Sequence, residues 1–226
     1  MLTAAATIAA SYAIGSIPVA WLTGRLRGVD IREFGSGNAG ASNIWQSVSK
    51  ALVVPVGLTQ IGQGLAGIMI AKAAGAETGV QVACGLAAIV AHNWNPWLRL
   101  QGGRGVGPAI GFLLALAPFD ALPAFIVVAV LGVLARATPQ GVGLALLAAP
   151  VAAYGGGADA AVVAGCGAAA ALVLLKRLLA NEPPEPQYAR PGVWWNRLIY
   201  DRDIRDREAW VRRGLTRDGA APHVPR

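Results

Sequence analysis

Apolar runs separated by short polar breaks carry the chain from Leu2 to about Ala180. A bilayer core of ~30 Å needs about 20 apolar residues at a 1.5 Å rise each. By that measure the runs predict helical spans at 2–23, 51–74, 78–98, 105–118, 120–135, 139–154 and 158–179. The fourth and sixth are short, and Pro118, Pro123, Pro139 and Pro150 bound or kink them, since proline lacks the amide donor a helix interior needs. They read as thin spans or as re-entrant hairpins. The expected fold is an all-α integral membrane protein with seven transmembrane helices, the alternative being five plus two re-entrant segments. Cytosolic loops and a short C-terminal interfacial tail complete it.

Composition agrees: 55% of residues are hydrophobic and 14% charged, against roughly 25% charged in soluble domains. No basic residue precedes Arg25, so the first run lacks the charged start of a cleavable signal peptide and reads as a retained span with its N-terminus outside. With seven crossings from that start, every one of the 19 Lys and Arg residues except Lys72 falls on the inner side. The positive-inside rule then places the C-terminus in the cytosol. Making one short segment re-entrant would move the basic tail to the face opposite Arg25, Arg27 and Arg32, so both short segments cross or neither does. Cys84 and Cys166, inside apolar runs, read as small packing residues. Gly103, Gly107 and Gly111 recur at a spacing that lets helices approach closely, and Gly57, Gly62, Gly64 and Gly67 crowd the second span. Two regions follow: a membrane domain over 1–182, and a basic, aromatic tail over 183–226 in which Trp194, Trp195 and Trp210 with alternating charges suggest a short helix at the inner membrane surface.

Three polar constellations converge on that inner face. The first is Gly35-Ser36-Gly37-Asn38-Ala39-Gly40-Ala41-Ser42-Asn43. Glycines and small polar residues at this density bend the backbone into a concavity of N–H groups that suits a phosphate, with Ser36, Asn38, Ser42 and Asn43 as further partners. The run matches G-x-G-x-x-G, but residues 55–65 hold no acid and a membrane span surrounds it, which excludes a dinucleotide fold. The second constellation is His92-Asn93-Trp94-Asn95-Pro96-Trp97 with Arg99 and Gln101-Gly102-Gly103-Arg104-Gly105. Here glycines lead into a helix whose N-terminal amides attract anions, and Arg104 adds a charge with fork geometry suited to phosphate. The third is Lys176-Arg177 with Asn181-Glu182, where the basic pair also fits the ordinary placement of cations at the inner end of a span.

Together these stretches resemble the bacterial acyl-phosphate:glycerol-3-phosphate acyltransferase family of the PlsY type. The resemblance runs from Tyr12 to about Glu182 and rests on Gly15-Ser16-Ile17-Pro18, on GSGNAGASN at 35–43, and on His92-Asn93-Trp94 followed by Gly102-Gly103-Arg104-Gly105-Val106. It implies a multi-pass enzyme of the bacterial plasma (inner) membrane. Such an enzyme transfers an acyl chain from acyl phosphate to the 1-hydroxyl of glycerol 3-phosphate, forming lysophosphatidate for phospholipid synthesis. The expected partners are those two substrates and membrane lipids, with no nucleic acid, cofactor or metal. Ser36, His92 and Arg104 become the catalytic candidates. Gly35, Gly37, Asn38, Gly40, Ser42, Asn43, Gln46, Gly102, Gly103, Gly105 and Glu182 become the substrate- and phosphate-binding ones. The chain departs from the family pattern at Gln46, where the family has Arg; at Arg104, where it has Lys; and at Gln60 and Gln63, where it has Asp and Lys. The two glutamines conserve net charge and suit a hydrogen-bonded pair. A last, His-containing motif ending near a Glu is only partly visible in Lys176 to Glu182. The departures motivate two alternatives: an acyltransferase with a different polar acceptor, and a non-catalytic lipid-binding membrane paralogue.

Overall fold

The computed structural model describes residues 2–34, 36–184, 186–206 and 210. Among these, every regular element is helical. The first apolar run does not form one helix. It breaks into α1 (Leu2–Gly15) and α2 (Val19–Arg25) at Ser16-Ile17-Pro18, because Pro18 has no amide to continue the ladder and disfavours the helical region for the residue before it. Carbonyls freed by such a break need donors in an apolar setting. Gln63 Nε2 donates to Ile14 O at 2.8 Å and to Ile17 O at 2.9 Å, and Asn95 Nδ2 donates to Ser16 O at 2.7 Å. Gln63 thus serves the break in the first run rather than pairing with Gln60.

Seven further helices complete the membrane-spanning region and its inner loops: α3 (Ala41–Ser47), α4 (Val53–Ala73), α5 (Thr78–Asn93), α6 (Val106–Leu116), α7 (Ala121–Leu134), α8 (Thr138–Gly155) and α9 (Ala160–Leu179). Every predicted span coincides with at least one helix. Three stretches, Leu2–Arg25, Val53–Ala73 and Ala160–Leu179, are long and apolar enough to cross a bilayer by length and composition. The 11 residues of α6 reach only about 16 Å at the helical rise. α6 instead lies within the bundle, closely against α4. A Cβ on Gly107 would crowd Gln60, one on Gly111 would strike Ile61 O, and one on Gly64 would strike Pro108. Gly107 and Gly111 therefore do what their spacing predicts, whereas Gly103 has another role, described below.

The core gathers Ile68, Cys84, Ile89, Phe112, Cys166 and Val173, with the Phe112 ring filling the space left by Gly85 and Gly165. Outward, Val54, Leu58, Val127, Leu131, Leu134, Leu147 and Val151 are exposed. Apolar side chains in such number on the outer surface of the helices, with the backbone bonded internally, are what a lipid-facing belt requires. α10 (Val193–Tyr200) follows beyond the bundle, packed on α8 and α9 through buried Val193 and Arg197, while Trp194 and Trp195 stay exposed. Of the predicted tail, residues 207–209 and 211–226 lie outside the described residues.

Candidate functional site

The first polar loop is shorter than its sequence suggests. Gly40 is the N-cap of α3, so Ser42 and Asn43 belong to that helix's first turn. Gly37, at φ +65°, makes the turn before it, with its amide donating to Phe34 O at 3.0 Å. Asn43 is fully buried and holds the preceding segment in place: Nδ2 donates to Ile31 O (2.6 Å) and Phe34 O (3.0 Å), while Oδ1 accepts from Ser47 Oγ (3.1 Å). Its amide is committed to the protein rather than offered to a ligand. Ser36 Oγ and Asn38 Oδ1, by contrast, are buried atoms without a hydrogen-bond partner. Buried polar atoms left unpaired are rare in native structures and mark places where a ligand or water completes the bonding. Ser42 and Gln46 lie one turn apart on the exposed side of α3, and Gly35 lies outside the described residues.

Just ahead of this loop, Asp30 and Arg32 form a forked pair, Nε to Oδ1 at 3.0 Å and Nη2 to Oδ2 at 2.7 Å, with the guanidinium over the Trp21 ring. The hydrogen bonds from Arg32 hold the Asp30 carboxyl below the usual range, at about 2. Arg32 is therefore spent on the loop's own structure.

The second loop is packed, not open. Asn95 caps the turn over Pro96–Leu98, with its Oδ1 accepting from Trp97 N at 3.1 Å, and Arg99 and Leu100 both adopt left-handed conformations to reverse the chain. The glycine run then folds back onto the end of α5. A Cβ on Gly102 would strike His92 O, one on Gly103 would enter the His92 imidazole, and one on Gly105, itself at φ +77°, would meet the Asn93 side chain. The glycines predicted to cradle phosphate thus first allow contact with His92 and Asn93, both buried. His92 sits directly beneath Gly103, whose amide donates to His92 O at 3.0 Å. Arg104, also buried, donates through Nη1 to Lys176 O at 2.9 Å, and its Nε lies 2.8 Å from Asp201 Oδ1.

What joins the two loops is Asn181, named in the third constellation but not among the residues expected to bind substrate. Its Nδ2 donates to Gly37 O at 3.0 Å and to Gly102 O at 2.9 Å, leaving Oδ1 buried and unpartnered. Ala39 N adds a bond to Gly102 O at 3.3 Å. Glu182, its neighbour, is exposed, and its backbone oxygen accepts from Arg197. Lys176 and Arg177, which also fit an ordinary basic helix end, both turn inward and are buried. Lys176 donates to Leu100 O at 3.2 Å and stacks its ammonium on the Trp94 ring, and Arg177 donates to Pro139 O at 2.8 Å. Three cations, Arg104, Lys176 and Arg177, are thus held at one end of the bundle beside the junction of the two loops. Buried cations next to unpartnered hydroxyl and amide groups form a setting for an anion with hydroxyl groups.

A helical membrane fold with such a site at one end of the bundle defines an integral membrane protein equipped to hold a polar anionic molecule. Comparison with known proteins narrows the class. The family profile described as glycerol-3-phosphate acyltransferase matches residues 5–181. Among curated relatives, glycerol-3-phosphate acyltransferase 4 of Dehalococcoides mccartyi (strain CBDB1) is 35% identical over 91% of this chain and 92% of its own. Glycerol-3-phosphate acyltransferase 5 of Dehalococcoides mccartyi (strain ATCC BAA-2266 / KCTC 15142 / 195) is 33% identical over 95% of each. The crystal structure of PlsY, an integral membrane glycerol 3-phosphate acyltransferase, in its glycerol 3-phosphate form superposes with a TM-score of 0.72 at 28% identity, covering 77% of this chain and 88% of that one. The lysophosphatidic acid form superposes with a TM-score of 0.71 at 27% identity, covering 77% of this chain and 87% of that one. The chain belongs to the glycerol-3-phosphate acyltransferase family.

Proposed function

We propose that this protein is a membrane acyltransferase that moves an acyl chain from acyl phosphate to the 1-hydroxyl of glycerol 3-phosphate. The observation that carries the reading is the junction made by Asn181, which sets the Ser36–Asn38 turn against the Gly102–Arg104 turn. The glycerol 3-phosphate and lysophosphatidic acid forms of PlsY correspond to an acceptor and an acylated product on the same fold. In the reaction the acceptor hydroxyl oxygen bonds to the acyl carbon, the bond from that carbon to the phosphate oxygen breaks, and the departing phosphate takes the hydroxyl proton. The products are lysophosphatidate and inorganic phosphate.

Because the donor is already activated, the protein's part is positioning and charge stabilisation. Ser36 and Asn38 with nearby loop amides bind phosphate oxygens, and Arg104 supplies positive charge. His92 sets the floor of the second loop, and Asn181 Oδ1 accepts from a glycerol hydroxyl. Gln46, on the exposed side of α3, adds a neutral contact where the family carries a cation. The loops face the cytosol, with seven crossings and the N-terminus outside, a reading supported by the one-sided distribution of Lys and Arg.

Purified protein assayed with glycerol 3-phosphate and either acyl phosphate or acyl-CoA tests the chemistry. Turnover with acyl phosphate is expected. Turnover with acyl-CoA alone, or none with either donor, overturns the reading. A reporter fused to the C-terminus tests the orientation, and activity only in an exported form would reverse it.

A further inference from the structure

The carboxylate beside Arg104 comes from outside the region that defines the family. The family profile ends at residue 181, and Asp201 lies in the turn after α10. That turn is built, not loose. The Arg197 guanidinium lies against Asp203, donates to the end of α9 at Leu178 O (3.2 Å), and donates to Glu182 O (2.9 Å), while Asn196 Nδ2 donates to Asp203 O at 3.0 Å. Asp201 itself takes a left-handed conformation, φ +54°, which directs its carboxylate to Arg104.

The contact has two properties of a placeholder. Its 2.8 Å distance makes it an ion pair, yet Arg104 Nε and Asp201 Oδ1 lack the alignment of a hydrogen bond. Its exposure is also lopsided: the Arg104 side chain is 8% exposed and that of Asp201 26%, so the carboxylate can withdraw toward solvent while the cation stays. A buried guanidinium cannot give up its proton and needs a counter-charge whenever substrate is absent. A phosphate carrying up to two charges and three acceptor oxygens is the stronger partner.

We propose that Asp201 is an internal counter-ion that occupies the anion position at Arg104 and gives way to the substrate phosphate, so that the 193–203 strap sets the affinity of the site. The proposal rests on the reading that Arg104 binds phosphate. An occupied site binds with its intrinsic affinity divided by the inverse of the free fraction. A carboxylate in place about 80–90% of the time therefore weakens phosphate binding by roughly five- to tenfold.

The test uses the full-length protein in detergent, with inorganic phosphate as probe, reading its Kd from the concentration dependence of Tm together with the KM for glycerol 3-phosphate. Asp201→Asn keeps a residue that tolerates the left-handed conformation while removing the charge. It is expected to tighten phosphate binding and lower KM about five- to tenfold without loss of kcat, and to have no effect in an Arg104→Ala background. Arg197→Lys, which removes the fork that fastens the strap, is expected to shift both values in the same direction and serves if Asp201→Asn folds poorly. Weaker or unchanged phosphate binding in Asp201→Asn, or the same gain without Arg104, overturns the counter-ion. If Arg104→Ala abolishes phosphate binding while Asp201→Asn changes nothing, the counter-ion alone fails. If Arg104→Ala leaves binding intact, the assignment of Arg104 fails and the counter-ion falls with it.

Discussion

The two polar loops look alike as sequence, both rich in glycine and asparagine, yet the protein uses them in opposite ways. In the first, one asparagine, Asn43, takes over the internal bonding of the segment behind it, and Ser36 and Asn38 are left with unpartnered buried atoms. In the second, the glycines are consumed by contact with His92 and Asn93. One loop keeps spare hydrogen-bonding capacity and the other has almost no spare volume. Glycine density therefore marks a ligand cradle only where the space beside it is empty of protein. The wall of this site is the second loop, and buried groups without partners remain on the first loop, at Ser36 and Asn38, as well as at Asn93 on the end of α5.

The contrast is sharpest at Gly103. Adding a methyl group there drives it into the His92 ring, and a packed interior has no room to yield. Gly103→Ala should lower activity by about 100-fold or more and reduce Tm. Gly40→Ala, whose Cβ would find its nearest neighbour at 3.8 Å, should cost far less, a small fall in Tm from the poorer N-cap of α3 with activity within a few-fold of the parent. Equal behaviour of the two variants in turnover and thermal-melting assays would erase the distinction between the loops. Next in size is Asn43→Ala, which strips donors from Ile31 O and Phe34 O. At roughly 1–3 kcal/mol for each of the two buried groups left unpaired, a loss of about 2–6 kcal/mol is expected in denaturant titration.

Ser36→Ala separates ligand binding from folding. The hydroxyl has no partner to lose, so Tm should hold while kcat/KM falls about tenfold, the effect of one hydrogen bond to a charged group. A fall in Tm alongside activity would show that the first loop is as fully packed as the second. The smallest effect concerns acid. Asp30 has a folded pKa of about 2 against an ordinary 3.8. Its pairing with Arg32 therefore stabilises fully above about pH 4 and fades as the pH falls toward 2. Asp30→Asn should flatten that portion of the Tm profile slightly, leaving the profile above pH 5 parallel to the parent.

Sequence periodicity located the helices well because lipid-sized apolar runs are a strong signal, and family membership was legible in the two motifs. The first run stands as one span over Leu2–Arg25, but the break within it at Pro18 went unread because that proline lies inside an unbroken apolar run; the donors that accommodate it, Gln63 and Asn95, are remote in sequence. The junction of the loops was equally hidden. Asn181 lies 144 residues from Gly37 and 79 from Gly102, and nothing in its immediate neighbours distinguishes it from a helix-ending amide. Lys176 and Arg177 fitted ordinary inner-end cations because hydropathy reports depth along a helix and not the face a side chain takes. The part played by Asp201 had no local signal, since it depends on a turn fastened by Arg197 to another helix.

The collar of glycines around His92 has a consequence for heredity. Every single-base change that replaces glycine with another amino acid introduces a Cβ, and at Gly102, Gly103 and Gly105 each such atom meets the end of α5. A drifting lineage therefore has no small step available at these codons. At Gly103 and Gly105 the obstacle is the side chain of His92 or Asn93, so change there requires a smaller residue at 92 or 93 first, whereas at Gly102 the obstacle is backbone and no partner mutation removes it.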